Sequence, residues 1–148
     1  MWVIFEGLDK SGKGTLEWGL HKATNFKHIV IDRGPVGYLT FDKIFNRDTK
    51  DRDEYFIKQS EKAMTLNNFF VVYCTVNKNT AITRIESNNE ICPYDYEKAQ
   101  EIYRDNIYKY YKDEKVLEID TTFLSIERCI EIIVQKIKEW EEGLESNE

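Results

Sequence analysis

No run in this 148-residue sequence has enough consecutive apolar residues to span a bilayer. The apolar start, Trp2-Val3-Ile4-Phe5, is too short for a secretory leader. Cysteine is scarce. Cys74, Cys92 and Cys129 are odd in number, far apart and in no metal-binding spacing. They read as reduced thiols, and the chain as a cytoplasmic protein. A basic excess is also missing. The formal net charge of −6 makes the chain a poor general binder of duplex DNA or of an anionic membrane. Histidine is limited to His21 and His28, and neither falls in a catalytic grouping. Internal repeats and low-complexity stretches are absent.

What remains, 41% apolar and 32% charged, suits a soluble globular chain. At 148 residues a single domain with a buried core is expected. It should run over residues 1–142, and the acidic end, 143–148, should fray.

The stretch that organises the chain is Gly7-Leu8-Asp9-Lys10-Ser11-Gly12-Lys13-Gly14-Thr15, of the form G-x-x-x-x-G-K-G-T. The apolar residues before it read as a strand buried on both faces. Leu16-Glu17-Trp18-Gly19-Leu20 after it starts a helical pattern. Strand, glycine loop and helix in that order carry a mechanism. Gly7 and Gly12 let the backbone curl so that N–H groups wrap a phosphate. The helix N-terminus adds its positive field, and Lys13 reaches the β- and γ-phosphates. Ser or Thr usually follows the lysine and touches magnesium. Here Gly14 follows, with Thr15 next. Mg²⁺ then falls mainly to the nucleotide phosphates and waters, with Thr15 the nearest hydroxyl.

Helices are expected over 13–23, from 36 onward, over 54–66, through Ile82 and Ile85, over 95–112 and after Ser125. Strands are expected over 27–32, 69–76 and 116–119, and 46–53 reads as a polar break. Asn77, Asn79 and Ser125 are N-cap candidates. This alternation predicts an α/β three-layer sandwich: a parallel sheet of about four strands with helices on both faces. Ligands gather at the carboxyl ends of such strands. The phosphate loop, Asp32-Arg33, the loop after Val76 and Asp120-Thr121-Thr122 converge there.

G-K-G-T resembles the phosphate loop of adenylate-kinase-type enzymes. Phe5-Glu6-Gly7-Leu8-Asp9 before Ser11-Gly12-Lys13 resembles the opening of thymidylate kinases, and Asp32-Arg33 resembles their Asp-Arg motif. The run from Phe69 to Arg84-Ile85, then Tyr103-Arg104, then Ile119-Asp120, is similar to the family's later half in order and spacing. The resemblance implies a P-loop nucleoside monophosphate kinase using ATP and Mg²⁺. Asp9 would accept a hydrogen bond from the sugar 3′-hydroxyl, and Arg33 would hold the acceptor phosphate. Asp32 would order magnesium or its waters, and Lys13 would stabilise the transferring phosphoryl group. Arg84 opens a segment resembling the lid over ATP, about 86–97, and Arg104 lies on the helix after it; the resemblance implies that both bind the nucleotide. Thr121 and Thr122 sit where the family's backbone cradles adenine. Some members carry a basic residue in the loop and none in the lid. Lys10 fits that pairing, because 86–97 contains no Lys or Arg.

Asp32 comes only 19 positions after Lys13. A typical thymidylate kinase has a further strand and helices in that interval, which help to recognise the acceptor. Tyr38, Phe41 and Phe45 are candidates to stack on a base instead, against a plain core role. The short gap also resembles polynucleotide kinases, where an aspartate at a similar distance acts as base. Three functions therefore stand. The first is an ATP- and Mg²⁺-dependent phosphotransferase acting on a small (deoxy)nucleoside monophosphate. The second is a kinase of a hydroxyl on a nucleic-acid end or modified base, with Asp32 as base. The third is a nucleotide-binding protein without catalysis. Membrane partners are not expected, and a homodimer is compatible with the sequence.

Overall fold

Alternation along the first strand decides the layering. The computed structural model describes residues 1–147. Strand β1, Trp2–Glu6, points Val3 and Phe5 to one side and Ile4 and Glu6 to the other, all fully buried or nearly so. Helix α1, Lys13–Ala23, leads to strand β2, Ile29–Asp32, and helices α2, Pro35–Ile44, and α3, Lys50–Ala63. Strand β3, Phe69–Thr75, is buried at all seven positions. Helices α4, Lys78–Ser87, and α5, Tyr96–Tyr110, follow, then strand β4, Val116–Asp120, and helix α6, Ile126–Glu145.

The four strands are parallel in the order β2-β1-β3-β4, with Ile4 opposite both Ile31 and Val71 and Tyr73 opposite Glu118. On one face Val3, Phe5, Val72 and Cys74 meet Leu16 and Leu20 of α1 and Ile133 and Ile137 of α6. On the other, Ile4, Val71 and Tyr73 meet α2 through Val36 and Phe41, α4 through Ala81 and Ile85, and α5 through Tyr103 and Ile107. The three-layer sandwich with a four-stranded parallel sheet is therefore the observed fold. Gly19 lets α1 and α6 approach closely, because a Cβ there would lie 2.7 Å from Ile130 Cδ1. Asn77, Asp95 and Ser125 cap their helices, their side chains accepting from the N–H groups of Thr80, Lys98 and Arg128.

Two boundaries differ from the sequence pattern. Helix α3 begins at Lys50, inside the stretch 46–53 that reads as a polar break. Asp51 and Asp53 in its first turn suit the positive helix end, which the polarity of the stretch conceals. Helix α6 continues to Glu145, so the acidic end expected to fray from 143 is helical for three of its residues. Leu144 packs on the core and holds it. Glu148 lies outside the described residues. No helix among the described residues is long and apolar enough to cross a membrane.

Candidate functional site

The loop between β1 and α1 is held open by its neighbours rather than by its own side chains. Gly7 has φ 145°, and a Cβ there would sit 2.5 Å from the carbonyl oxygen of Cys74. Lys10 and Gly12 also take positive φ, 61° and 97°. Arg84 donates through Nη1 to Lys10 O at 2.8 Å and through Nη2 to Thr121 O at 3.0 Å. Thr121 Oγ1 donates to Ser11 O at 2.7 Å, and Tyr96 donates its hydroxyl to Asp9 O at 2.9 Å. Loop carbonyls are thus tied from behind, and α1 starts directly after Gly12, so its N-terminus faces the same place.

A cavity of about 640 Å³ opens over this loop. Lys10, Gly12, Lys13, Gly14 and Thr15 line it on the loop side. Asp9, Arg84 and Thr121 line it too, and Leu124, Ile126 and Cys129 form an apolar end. A cavity of this size suits a nucleotide.

Asp32 and Arg33, at the end of β2, bring a second set of charges. Lys13 Nζ lies 3.7 Å from Asp32 Oδ1. Arg33, at φ 58°, donates its backbone N–H to Phe5 O, and its guanidinium carbon sits 4.1 Å from the centre of the Phe41 ring. Its Nη2 lies 3.9 Å from Asp9 Oδ1, while Asp9 Oδ2 accepts from the Tyr94 hydroxyl at 3.1 Å. Phe41 is buried beneath Arg33, whereas Tyr38 and Phe45 are exposed, Tyr38 stacked on Phe56 and Phe45 set edge-on to Tyr94. Burial first, then the neighbouring Asp32 charge and a hydrogen bond with Asp32, push the Glu17 carboxyl up to about 7, and Lys13 pulls it back.

Not every expected residue reaches the cavity. Ser11 is wholly buried, with its hydroxyl unpartnered beside Gly7. Thr122 accepts from the Asn77 N–H and does not line the cavity. Arg104 does not line the cavity either. It pairs with Glu118 of β4 and lies over the Tyr73 ring, away from the loop. One residue after the buried Tyr103, its direction on α5 is set toward the sheet edge. Arg104→Ala is therefore expected to leave kcat with the best acceptor within twofold, and steady-state assay of the variant checks this. Lys10 extends toward the segment 86–97, its Nζ 3.7 Å from Glu90 Oε1. Sequence reasoning missed Glu17, Glu90 and Tyr94. Glu17 was within reach of it, since it stands four residues after Lys13 on the same helical face.

Glu6 sets the turn that aims Arg33. It is fully buried, and its Oε1 accepts from the Gly34 N–H at 2.7 Å and the Tyr103 hydroxyl at 3.2 Å. Tyr111 donates to Oε2 at 3.3 Å. Burial pushes the Glu6 carboxyl up to about 7, against the pull of these donors. The unfolded chain releases this proton near 4.5 and the folded one near 7. Between these values the folded state binds more protons, so stability is full below about 4.5 and falls as pH rises to about 7. The loss is of order 3 kcal/mol. Glu6→Gln lacks it, so its melting temperature relative to wild type should rise between pH 4.5 and pH 8 (thermal melts at both). Parallel curves would show that Glu6 does not titrate in this window.

No protein-family model and no curated protein matches the chain. Solved structures do. The YorR protein of Bacillus subtilis, solved in complex with phosphorylated GDP, superposes with a TM-score of 0.71 at 16% identity, over 93% of this chain and 96% of that one. The fold is that of the nucleotide kinases. Deoxyadenosine kinase from M. mycoides, with bound dCTP, gives 0.68 at 15% identity, over 94% of this chain and 100% of that one. Thymidylate kinase from Candida albicans gives 0.63 at 10% identity, over 93% of this chain and 91% of that one. The likeness of fold extends over nearly the full length of this chain, and with no strand between α1 and β2 the sheet ends at β2.

Proposed function

We propose that the protein is an ATP- and Mg²⁺-dependent phosphotransferase whose acceptor is a (deoxy)nucleoside monophosphate. One observation carries the reading. Two cations flank the phosphate loop, and each is held by a carboxylate that a substrate phosphate can replace: Lys13 by Asp32 and Arg33 by Asp9. Phosphoryl transfer asks a protein for positioning and charge neutralisation, and an ionised acceptor phosphate needs no strong base. In this reading Lys13 serves the transferring group and Arg33 the acceptor phosphate. Asp9 would take a sugar hydroxyl, one of its oxygens steadied by Tyr94. Arg84 and Thr121 brace the loop and face the nucleotide end of the cavity. Lys10 adds a cation at the rim, its Nζ 3.7 Å from Glu90 Oε1. The residues fit the cofactors: backbone N–H groups and a lysine for ATP, the oxygens of Asp32 and Thr15 for a hard cation. Bound there, Mg²⁺–ATP supplies the phosphoryl group and offsets the charge on its oxygens.

A hydroxyl acceptor is the second reading. It is favoured by the exposed Asp32 carboxylate at the loop, a candidate base. The acidity of the chain weighs against a polymer substrate. ATP with each (deoxy)nucleoside monophosphate, with nucleosides and with a 5′-hydroxyl oligonucleotide separates the readings. Turnover on a monophosphate is expected. Turnover only on hydroxyl acceptors selects the second reading, and none at all leaves a nucleotide-binding protein.

A further inference from the structure

The cavity over the phosphate loop has two ends of different chemistry. Lys10, Gly12, Lys13, Gly14 and Thr15 make one end cationic and rich in backbone N–H groups. At the other, Leu124, Ile126 and Cys129 form an apolar wall. Leu124 is 39% and Ile126 51% exposed, apolar surface that a flat ring laid there would cover. Helix α4 lines the same cavity with Arg84, Ser87 and its C-cap Asn88, which stand at i, i+3 and i+4 on one helical face. Polar side chains along the cavity are engaged elsewhere, with one exception. Arg84 donates to Lys10 O and Thr121 O. Thr121 Oγ1 donates to Ser11 O, and Ser87 Oγ donates to Arg84 O. Glu90 lies by Lys10, and Asp9 takes the Tyr94 hydroxyl. Lys13 lies by Asp32, and Thr15 belongs to the phosphate end. Asn88 differs. Its backbone N–H goes to Ile85 O, and among the described residues its carboxamide makes no hydrogen bond. That group keeps two donors and an acceptor free. The pairing matches adenine, whose amino group and neighbouring ring nitrogen stand side by side as donor and acceptor.

We propose that Asn88 selects the base of the phosphoryl donor, its carboxamide pairing with the adenine edge of ATP while Leu124 and Ile126 cover the ring. The inference deepens the function proposed above and rests on it. It gives Asn88 a role in specificity and none in the transfer itself.

The test compares bases on an unchanged phosphate chain. Affinities of the full chain for ATP, GTP and UTP, and for inorganic tripolyphosphate, which has no base, are measured by calorimetry with Mg²⁺. Wild type is expected to hold ATP about tenfold or more tighter than UTP. Asn88→Ala should weaken ATP by about tenfold and leave tripolyphosphate within twofold of wild type. Asn88→Asp keeps the shape and exchanges donors for acceptors. Its ATP-to-GTP affinity ratio should fall by about tenfold or more, because guanine offers N–H groups that a carboxylate accepts. Asn88 is exposed and follows the last turn of α4, so both variants should fold. Wild-type affinities for ATP and UTP within twofold of each other overturn the proposal. So does wild-type ATP affinity in Asn88→Ala. An equal loss of tripolyphosphate, or a variant that does not fold, also overturns it, since either makes Asn88 a structural residue. A wild type that binds neither ATP nor tripolyphosphate overturns the function reading as well, which separates the two failures.

Discussion

Lys13→Ala is expected to lower kcat by about a hundred- to a thousandfold, the range for removing one preorganised charge from a transition state. The side chain lines the cavity, and its ammonium touches Asp32 rather than the core, so the fold should survive. Its loss does leave the Asp32 carboxylate without the ammonium that lies 3.7 Å from it. A modest fall in melting temperature should therefore accompany the loss of turnover. Adding Mg²⁺–nucleotide should restore part of it. Nucleotide Kd should weaken less than kcat, because charge on the transferring group is greatest in the transition state. The measurements are kcat, nucleotide Kd and melting temperature for both proteins. Turnover within tenfold of wild type would remove the phosphate-loop mechanism from consideration.

The phosphate loop was legible because its chemistry is local. A buried apolar run, two glycines, a lysine and the start of a helix lie within twenty residues, and each obeys a short-range rule. The sheet followed for the same reason, since β3 is apolar at every position but its last, Thr75, and is buried on both faces. Pairings across the chain were not legible. Tyr94 reaches Asp9 over 85 positions and Arg84 reaches Thr121 over 37. Nothing local marks either tyrosine or arginine for its partner. Arg104 shows the opposite failure. Its place on a helix after the lid-like segment suggested the nucleotide, yet its direction on α5 sends it to Glu118. Start residues of helices followed capping where a cap exists, as at Asn77, Asp95 and Ser125. Thr49 before α3 makes no side-chain cap, and there the boundary was missed.

Asp32 and Arg33 are neighbours that the structure sends to different carboxylate and cation partners, so their substitutions should part company. Arg33→Ala removes a guanidinium fixed from three sides: its backbone by Phe5 O, its plane by Phe41, its tip by Asp9. If the acceptor carries a phosphate, losing that charge-assisted contact costs roughly 1.5–3 kcal/mol, or about ten- to a hundredfold in kcat/KM. Most of it should appear in KM for the acceptor, since the phosphate charge exists before reaction as well as during it. Asp32→Asn keeps the shape and removes the charge beside Lys13. With a phosphate acceptor the effect should appear in metal dependence, and acceptor KM should stay close to wild type. With a hydroxyl acceptor Asp32 would be the base, and kcat should fall by about a hundred- to ten-thousandfold while Arg33→Ala does little. Steady-state kinetics of both variants with the best acceptor, at varied Mg²⁺, distinguish these patterns. Two variants with wild-type kcat and KM would show that the end of β2 is not where the acceptor binds.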